Sequence, residues 1–267
     1  MATATLTLAL ATACGGDEPA AGSTDPAAVL KVGASPVPHA EILNYIRTDL
    51  AAKEGLNLEV VEFTDYIQPN VALQDEQIDA NYFQTVPYLD EQKRSRGYEF
   101  TPLEGVHVEP LGIYSRRFDS LDAVPNGAQV GIPNDPTNAG RSLRLLADKG
   151  LITLKDTGEN APTALDVDQN AKQLKITEIE AAQLPRSLQD LDLAVINGNY
   201  ALEGGLTPAE DALELESAEN NPNANLLVVR AGEEDDPRVR KLEALLHSPE
   251  VKKFIEDKYQ GAVIATF

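Results

Sequence analysis

The chain has 267 residues, 42% of them hydrophobic and 24% charged, and its 22 Lys and Arg against 43 Asp and Glu leave a net charge of −21. A soft rule of roughly 150 residues per domain allows about two domains, and so ordinary a composition excludes a wholly disordered chain, a collagen-like fibre and a polytopic membrane protein. A surface this acidic repels phosphate backbones, so nucleic acid is not expected as a partner.

Residues 2–13, ATATLTLALATA, carry no charge and no helix breaker. That is short of the about 20 residues needed to span a bilayer but fits the apolar region of a signal peptide. The run ends in Ala11-Thr12-Ala13-Cys14-Gly15-Gly16. Small residues before a lone Cys resemble a bacterial lipobox, in which the thiol takes diacylglycerol and the Cys becomes the mature N-terminus. Ala stands three places before Cys14 where Leu is usual, and no basic start precedes the run. One Cys excludes a disulfide framework within the chain and a Cys-based zinc site. Residues 14–28 are Gly, Pro, Ala, Ser and acid after the Cys, too poor in apolar groups to fold alone, and form a flexible tether.

The body alternates strands and helices. VLKVGAS (29–35) is a strand, and 39–55 is a helix with Ile42, Leu43, Ile46 and Leu50 inward and Gly55 as its stop. Strands follow at 56–63 and 78–84, with helices at 67–77 and 86–97. Residues 98–115 are one long extended stretch. A second unit opens with the strand 128–134 and the helix 138–150, and has further strands at 174–180, 191–197 and 224–230. Asp236-Pro237 and Ser248-Pro249 open two capped helices, and 261–267 closes the chain as a strand. The pattern predicts an α/β protein of two lobes with largely parallel sheets, the second lobe inserted into the first. Lobe I takes 29–110 and 226–267, lobe II takes 111–225, and a ligand binds between them.

Catalytic and nucleotide-binding motifs of the GxGxxG, P-loop, GxSxG and HExxH types are absent. The three histidines, His39, His107 and His247, lie far apart in sequence, with no pair at metal-ligand spacing. Three segments carry more chemistry than a connecting loop needs. The first runs from Phe63 to Tyr66 and from Asp79 to Tyr88, and holds five of the chain's 14 Tyr and Phe. Strand alternation puts Asn81, Phe83 and Thr85 on one face and Tyr82 and Gln84 on the other. Phe63 and Tyr82 are assigned to the core, and Tyr66, Phe83 and Tyr88, at strand exits, to a ligand wall. The second is Pro133 to Arg141, where Asn138 is taken as a helix N-cap and Arg141 as a cation in the first turn. A cation at that end opposes the helix dipole by roughly 0.3–1 kcal/mol, so either an anion resolves the conflict or Arg141 pairs with a carboxylate. The third is a pair of strand exits bearing the amides Asn197 and Asn225, which suit a zwitterion or serve a turn.

Taken in order, these motifs resemble the NlpA/MetQ-type substrate-binding lipoproteins of methionine ABC importers. The resemblance rests on Val32 to Glu41, Asp79-Ala80-Asn81, Phe83-Gln84, Pro87-Tyr88-Leu89, Asn134 to Asn138 with Gly140-Arg141-Ser142, Leu184 to Ser187 and Ala194 to Asn197. It implies a type II-like periplasmic-binding-protein fold, an aromatic wall of Tyr66, Phe83 and Tyr88 around a thioether, Arg141 beside Asn138 for the carboxylate, and Asn197 and Asn225 at the amino-acid head. Thr85 stands where many members have His, so a related amino acid or a methionine-containing dipeptide remains open as substrate. The resemblance further implies no cofactor, a monomer anchored by its lipid to the outer face of the cell membrane, and a permease with its ATPase as partners. An enzyme on this fold, such as a dehydratase, would need an acid or base in the cleft, where the candidate residues are aromatic, amide and Arg. A lipid-anchored adhesin would need no aromatic slot facing an Arg.

Overall fold

The structure is a computed structural model and describes residues 28–158 and 160–267. The apolar run, Cys14 and the tether through residue 27 lie outside the described residues. Among the described residues no helix is long and apolar enough to cross a membrane.

The first lobe begins with β1 (Val29–Ala34), which buries Leu30, Val32 and Ala34, and β2 (Asn57–Glu62) follows it. Between them α1 runs as consecutive helical segments over 36–54, with Ile42, Leu43, Ile46 and Leu50 buried at the expected spacing. It stops at Gly55, whose φ of 60° suits glycine. Next come α2 (Gln68–Gln74), β3 (Ala80–Thr85), α3 (Val86–Arg96) and β4 (Phe100–Val108). The predicted stretch 98–115 is broken at 109–111, where Pro110 has no N–H to offer a ladder. The chain there leaves the first sheet and enters the second as β5 (Gly112–Tyr114).

The second sheet is completed by β6 (Gln129–Pro133), β9 (Lys175–Ile179), β10 (Leu193–Ile196) and β11 (Ala212–Leu215), and a separate hairpin by β7 (Thr153–Leu154) and β8 (Val167–Gln169). Its helices are α4 (Pro136–Asp148), α5 (Leu184–Ser187), α6 (Gly198–Glu203) and α7 (Pro208–Asp211). Residues 216–223 carry the chain back to β12 (Ala224–Arg230), after which α8 (Pro237–Leu246), α9 (Pro249–Tyr259) and β13 (Ile264–Ala265) close the first lobe. As the sequence suggests, Asp236 and Ser248 cap α8 and α9, accepting from the N–H of Arg238 and Val251.

The strand orders are β13-β4-β12-β3-β1-β2 and β11-β5-β10-β6-β9. Both sheets are mixed, which corrects the expectation of largely parallel ones. The helix-connected strands β3, β1 and β2, and β10, β6 and β9, pair in parallel. The strands next to the two crossovers, β4, β5, β11 and β12, pair antiparallel. Of these, β5 and β12 enter from the other sheet and run against both neighbours, while β4 and β11, which follow β3 and β10 through helices of the same lobe, are antiparallel because β12 and β5 lie between them and those strands. Each sheet has its own core. Leu30, Val32, Ile42 and Ile46 meet Val239, Leu242, Val251 and Ile255 in the first, and Ile113, Val130, Ile132, Leu143, Leu146 and Val195 form the second. Each such side chain contributes roughly 1.5–3 kcal/mol by burial, so each lobe holds its shape and the groups at its rim.

Candidate functional site

A narrow cavity of about 30 Å³ lies between the two lobes. Tyr66, Phe83, Thr85, Tyr88, Asn138, Arg141, Asn197 and Asn225 all line it. So do Gln84, Glu109, Gly198 and Asn199, which sequence reasoning left out.

The aromatic end is built by the first lobe. Tyr66 comes from the turn after β2, Phe83 from β3 and Tyr88 from the first turn of α3. Their ring centroids form a near-equilateral triangle, 6.0, 5.9 and 6.0 Å apart. The Tyr88 hydroxyl donates to the Tyr66 backbone carbonyl at 2.9 Å, which holds two corners together. The Tyr66 hydroxyl donates to Asn199 Oδ1 at 2.5 Å, reaching α6 of the second lobe. Tyr82 is fully buried and Phe63 packs beside Ile78 and Leu226, so both belong to the core. The expected alternation along β3 fails at one place. Its register against β12 slips between Leu226 and Leu227, which face Gln84 and Tyr82 and leave Phe83 as the extra residue of a bulge. Gln84 therefore turns back to donate to Asn81 Oδ1 and Asn70 Oδ1, each at 2.8 Å.

The polar end is built mainly by the second lobe. Helix α4 starts two residues earlier than predicted, at Pro136, and its N-cap is Asp135, not Asn138. The Asp135 carboxylate accepts from the Asn138 N–H at 2.9 Å. Arg141 therefore sits in the second turn, and the conflict with the helix dipole disappears. Its guanidinium is already engaged: Nε donates to Glu216 Oε1 at 2.9 Å, Nη2 donates to Glu216 Oε2, and Nη2 also donates to the Glu109 carbonyl at 3.0 Å. Glu216 and Glu109 lie on the two crossover segments, so Arg141 ties both to α4. Burial works against charge on Glu216, but the Arg141 hydrogen bonds outweigh it and hold its carboxyl below the usual range. Asn197 is the N-cap position of α6. Asn225 lies at the start of β12, not at a strand exit as the sequence suggested; because β12 runs antiparallel to β3, that start faces Thr85 and the cavity. Thr85 precedes α3 without a side-chain cap bond, so its hydroxyl is not consumed there.

Beneath the cavity the fold gathers two histidines that the sequence keeps 68 residues apart. His39 and His107 have ring centroids 5.0 Å apart, and with Glu109 their donor atoms fall within 4.8 Å of one another. These are the residues that could hold a metal among the described ones, contrary to the expectation from spacing. Hydrogen bonds already engage the facing nitrogens: His107 Nε2 and Glu109 Oε1 are 2.8 Å apart, and His39 Nε2 lies 3.0 Å from Asn225 Oδ1. Burial lowers His39 to about 4 and His107 to about 3, so both rings are neutral near pH 7. The cleft thus does hold a carboxylate, which the sequence expectation denied it. The visible signal for it was a lone acid in the run Val106 to Tyr114, whose one other ionisable group besides Tyr114 is His107.

Two α/β lobes, each with its own core, that enclose a cavity walled by rings at one end and by amides and an arginine at the other define a two-lobed substrate-binding protein. The profile of the NlpA lipoprotein family matches residues 30–267, and the chain belongs to that family. It is 46% identical over 227 residues to the D-methionine-binding lipoprotein MetQ of Escherichia coli K12, covering 84% of this chain and 82% of that one. Among solved structures it is similar to a nutrient-binding protein from Burkholderia cenocepacia bound to methionine, with a TM-score of 0.86, 47% identity, and coverage of 89% of this chain and 100% of that one. It is also similar to an ABC transporter periplasmic substrate-binding protein from Coxiella burnetii, with a TM-score of 0.85, 39% identity, and coverage of 89% and 100%.

Proposed function

We propose that this chain is the extracytoplasmic substrate-binding lipoprotein of an ABC importer, that it captures methionine in the cleft between lobe I (29–110 and 226–267) and lobe II (111–225), and that it delivers it to the permease and its ATPase as a monomer. The observation that carries this is the triangle of Tyr66, Phe83 and Tyr88 in one cavity with Arg141 and the buried amides. An unbranched thioether fits between ring faces, and sulfur near a ring gains roughly 0.3–1.5 kcal/mol beyond burial. The zwitterionic head then meets donors from Arg141 and acceptors from Asn197 and Asn225, with Asn138 holding Asn197 in place. The names of the relatives support the same substrate.

A thermal-shift panel of the amino acids and methionine dipeptides tests the substrate. At about 100 times Kd a ligand stabilises by roughly 2.7 kcal/mol, which for a chain of this size is a shift of about 5–10 °C. Methionine should give the largest shift, ahead of norleucine and leucine and far ahead of valine and glutamate. Thr85→His should enlarge it, by restoring the side chain that the family resemblance places opposite Asn225. A shift with acidic or basic amino acids and none with methionine or its dipeptides would remove methionine as the substrate and leave the binding-protein class intact.

The anchor is proposed to be acylated Cys14. Two or more acyl chains hold a protein on a membrane where one holds only weakly. Cys14→Ala should therefore move the protein from the membrane fraction to the soluble extracytoplasmic fraction. Equal membrane retention of both forms would show that something other than Cys14 anchors it.

A further inference from the structure

Two hydrogen-bond chains run into the cavity from opposite lobes, and each ends on an acceptor. The first starts at Asp135, whose carboxylate can only accept. It takes the Asn138 amide N–H groups at 3.0 Å, so Asn138 presents Oδ1 and receives Asn197 Nδ2 at 2.9 Å. Asn197 is thereby left with its Oδ1 buried and without a hydrogen-bond partner. The second chain starts at Tyr82. Glu109 carboxylate accepts, so His107 Nε2 carries the proton that is donated to Glu109 Oε1, and His107 Nδ1 accepts from the Tyr82 hydroxyl. His39 Nε2 lies 3.3 Å from the same Oε1 and 3.0 Å from Asn225 Oδ1, both acceptors, so it too is the protonated nitrogen. Both imidazole contacts fall on Oε1; the carboxylate also takes the Asn199 backbone N–H, and its remaining acceptor capacity faces the cavity.

We infer that Glu109, oriented by His107 and His39, is the counter-charge for the ligand's ammonium, with Asn197 Oδ1 as its second acceptor, so that the site takes methionine compounds with a free α-amino group and rejects N-acylated ones. This rests on the methionine assignment above and adds the residue that sets which end of the molecule must be free. Glu109 is only 6% exposed, yet it lines the cavity. Its ring neighbours are neutral, and Arg141 bonds its backbone carbonyl rather than its carboxylate. Burial accordingly pushes its carboxyl above the usual range, with His39, Arg141 and the Asn199 backbone N–H offsetting part of that. A buried carboxylate without a full positive partner is costly until one arrives, and a primary ammonium brings the charge together with three N–H donors. An acylated nitrogen brings one N–H, no charge and an extra carbonyl, which would face Asn197 Oδ1 as acceptor against acceptor. A dipeptide with methionine at its C-terminal end presents that same acylated nitrogen.

The test is calorimetric titration of the wild type and of Glu109→Gln with methionine and with N-acetylmethionine. Wild type should bind N-acetylmethionine at least about 30-fold more weakly than methionine, the loss expected when a buried charge pair is deprived of one partner. Glu109→Gln keeps an oxygen for the His107 proton, and should bind methionine at least about 30-fold more weakly while losing most of the discrimination between the two. Binding of both compounds to wild type within about threefold of each other overturns the inference and leaves methionine as the substrate. So does a Gln variant that keeps the wild-type ratio. Wild type that binds neither compound overturns the methionine assignment and this inference with it. The wild-type comparison needs no variant, so a poorly folded Glu109→Gln does not blunt the test.

Discussion

Arg141→Ala is expected to weaken methionine binding by about 30-fold or more in calorimetry, because truncating one partner of a buried charge pair costs roughly 2–5 kcal/mol. The pairing with Glu216 shapes how that loss is read. Nε and Nη2 are spent on Glu216 and on the Glu109 carbonyl, so a ligand carboxylate takes the remaining edge of the guanidinium, at Nη1, or displaces Glu216. Removing the guanidinium also leaves Glu216 unpaired beside the cleft, and that lowers stability as well as affinity. Glu216→Gln separates the two effects. It frees Arg141 from a competing carboxylate, so affinity should hold or rise while the thermal midpoint of the ligand-free protein falls. If Arg141→Ala lowers the midpoint but leaves affinity unchanged, Arg141 serves only to tie α4 to the crossovers.

Periodicity made most of the fold legible before any coordinates. Helical spacing in α1, α4, α8 and α9 and alternation in β1 report burial directly, since each element is amphipathic toward one core. What failed was pairing. Whether β4 and β12 run parallel to their neighbours depends on where the chain changes sheet, and Pro110 is a faint mark for that. The site was legible where side-chain chemistry exceeds the needs of a turn, as at Tyr66, Phe83, Arg141 and Asn197. Residues were missed where the fold, not the local sequence, gives them their surroundings. Gln84 reaches the cavity because of a bulge that no alternation rule foresees. Asn199 follows an N-cap on a six-residue helix too short to show a period. Glu109 owes its burial to His39 and His107, which come together only when β4 pairs with β12, β12 with β3 and β3 with β1. A histidine count along the chain could not show that.

Tyr66 joins the two lobes and walls the slot at once, and two substitutions separate those roles. Tyr66→Phe keeps the ring in the triangle with Phe83 and Tyr88 and removes only the hydroxyl that donates to Asn199. A hydrogen bond of this kind is worth roughly 0.5–1.5 kcal/mol net, so methionine affinity should fall by about two- to tenfold. Tyr66→Ala also removes the ring, which packs 4.8 Å from Tyr200 of the second lobe as well as against its own two partners. Full aromatic-to-Ala truncation in a core costs about 3–5 kcal/mol, but Tyr66 is half-buried, so the smaller figure of about 2 kcal/mol for a binding hot spot applies, which is about 30-fold in Kd. The order Phe less damaging than Ala follows if the ring wall carries binding. Equal loss in both would instead assign the energy to the bond that holds the lobes together. An Ala variant with wild-type affinity for methionine would show that the thioether does not sit against Tyr66, and the slot would then have to be formed by Phe83 and Tyr88 alone.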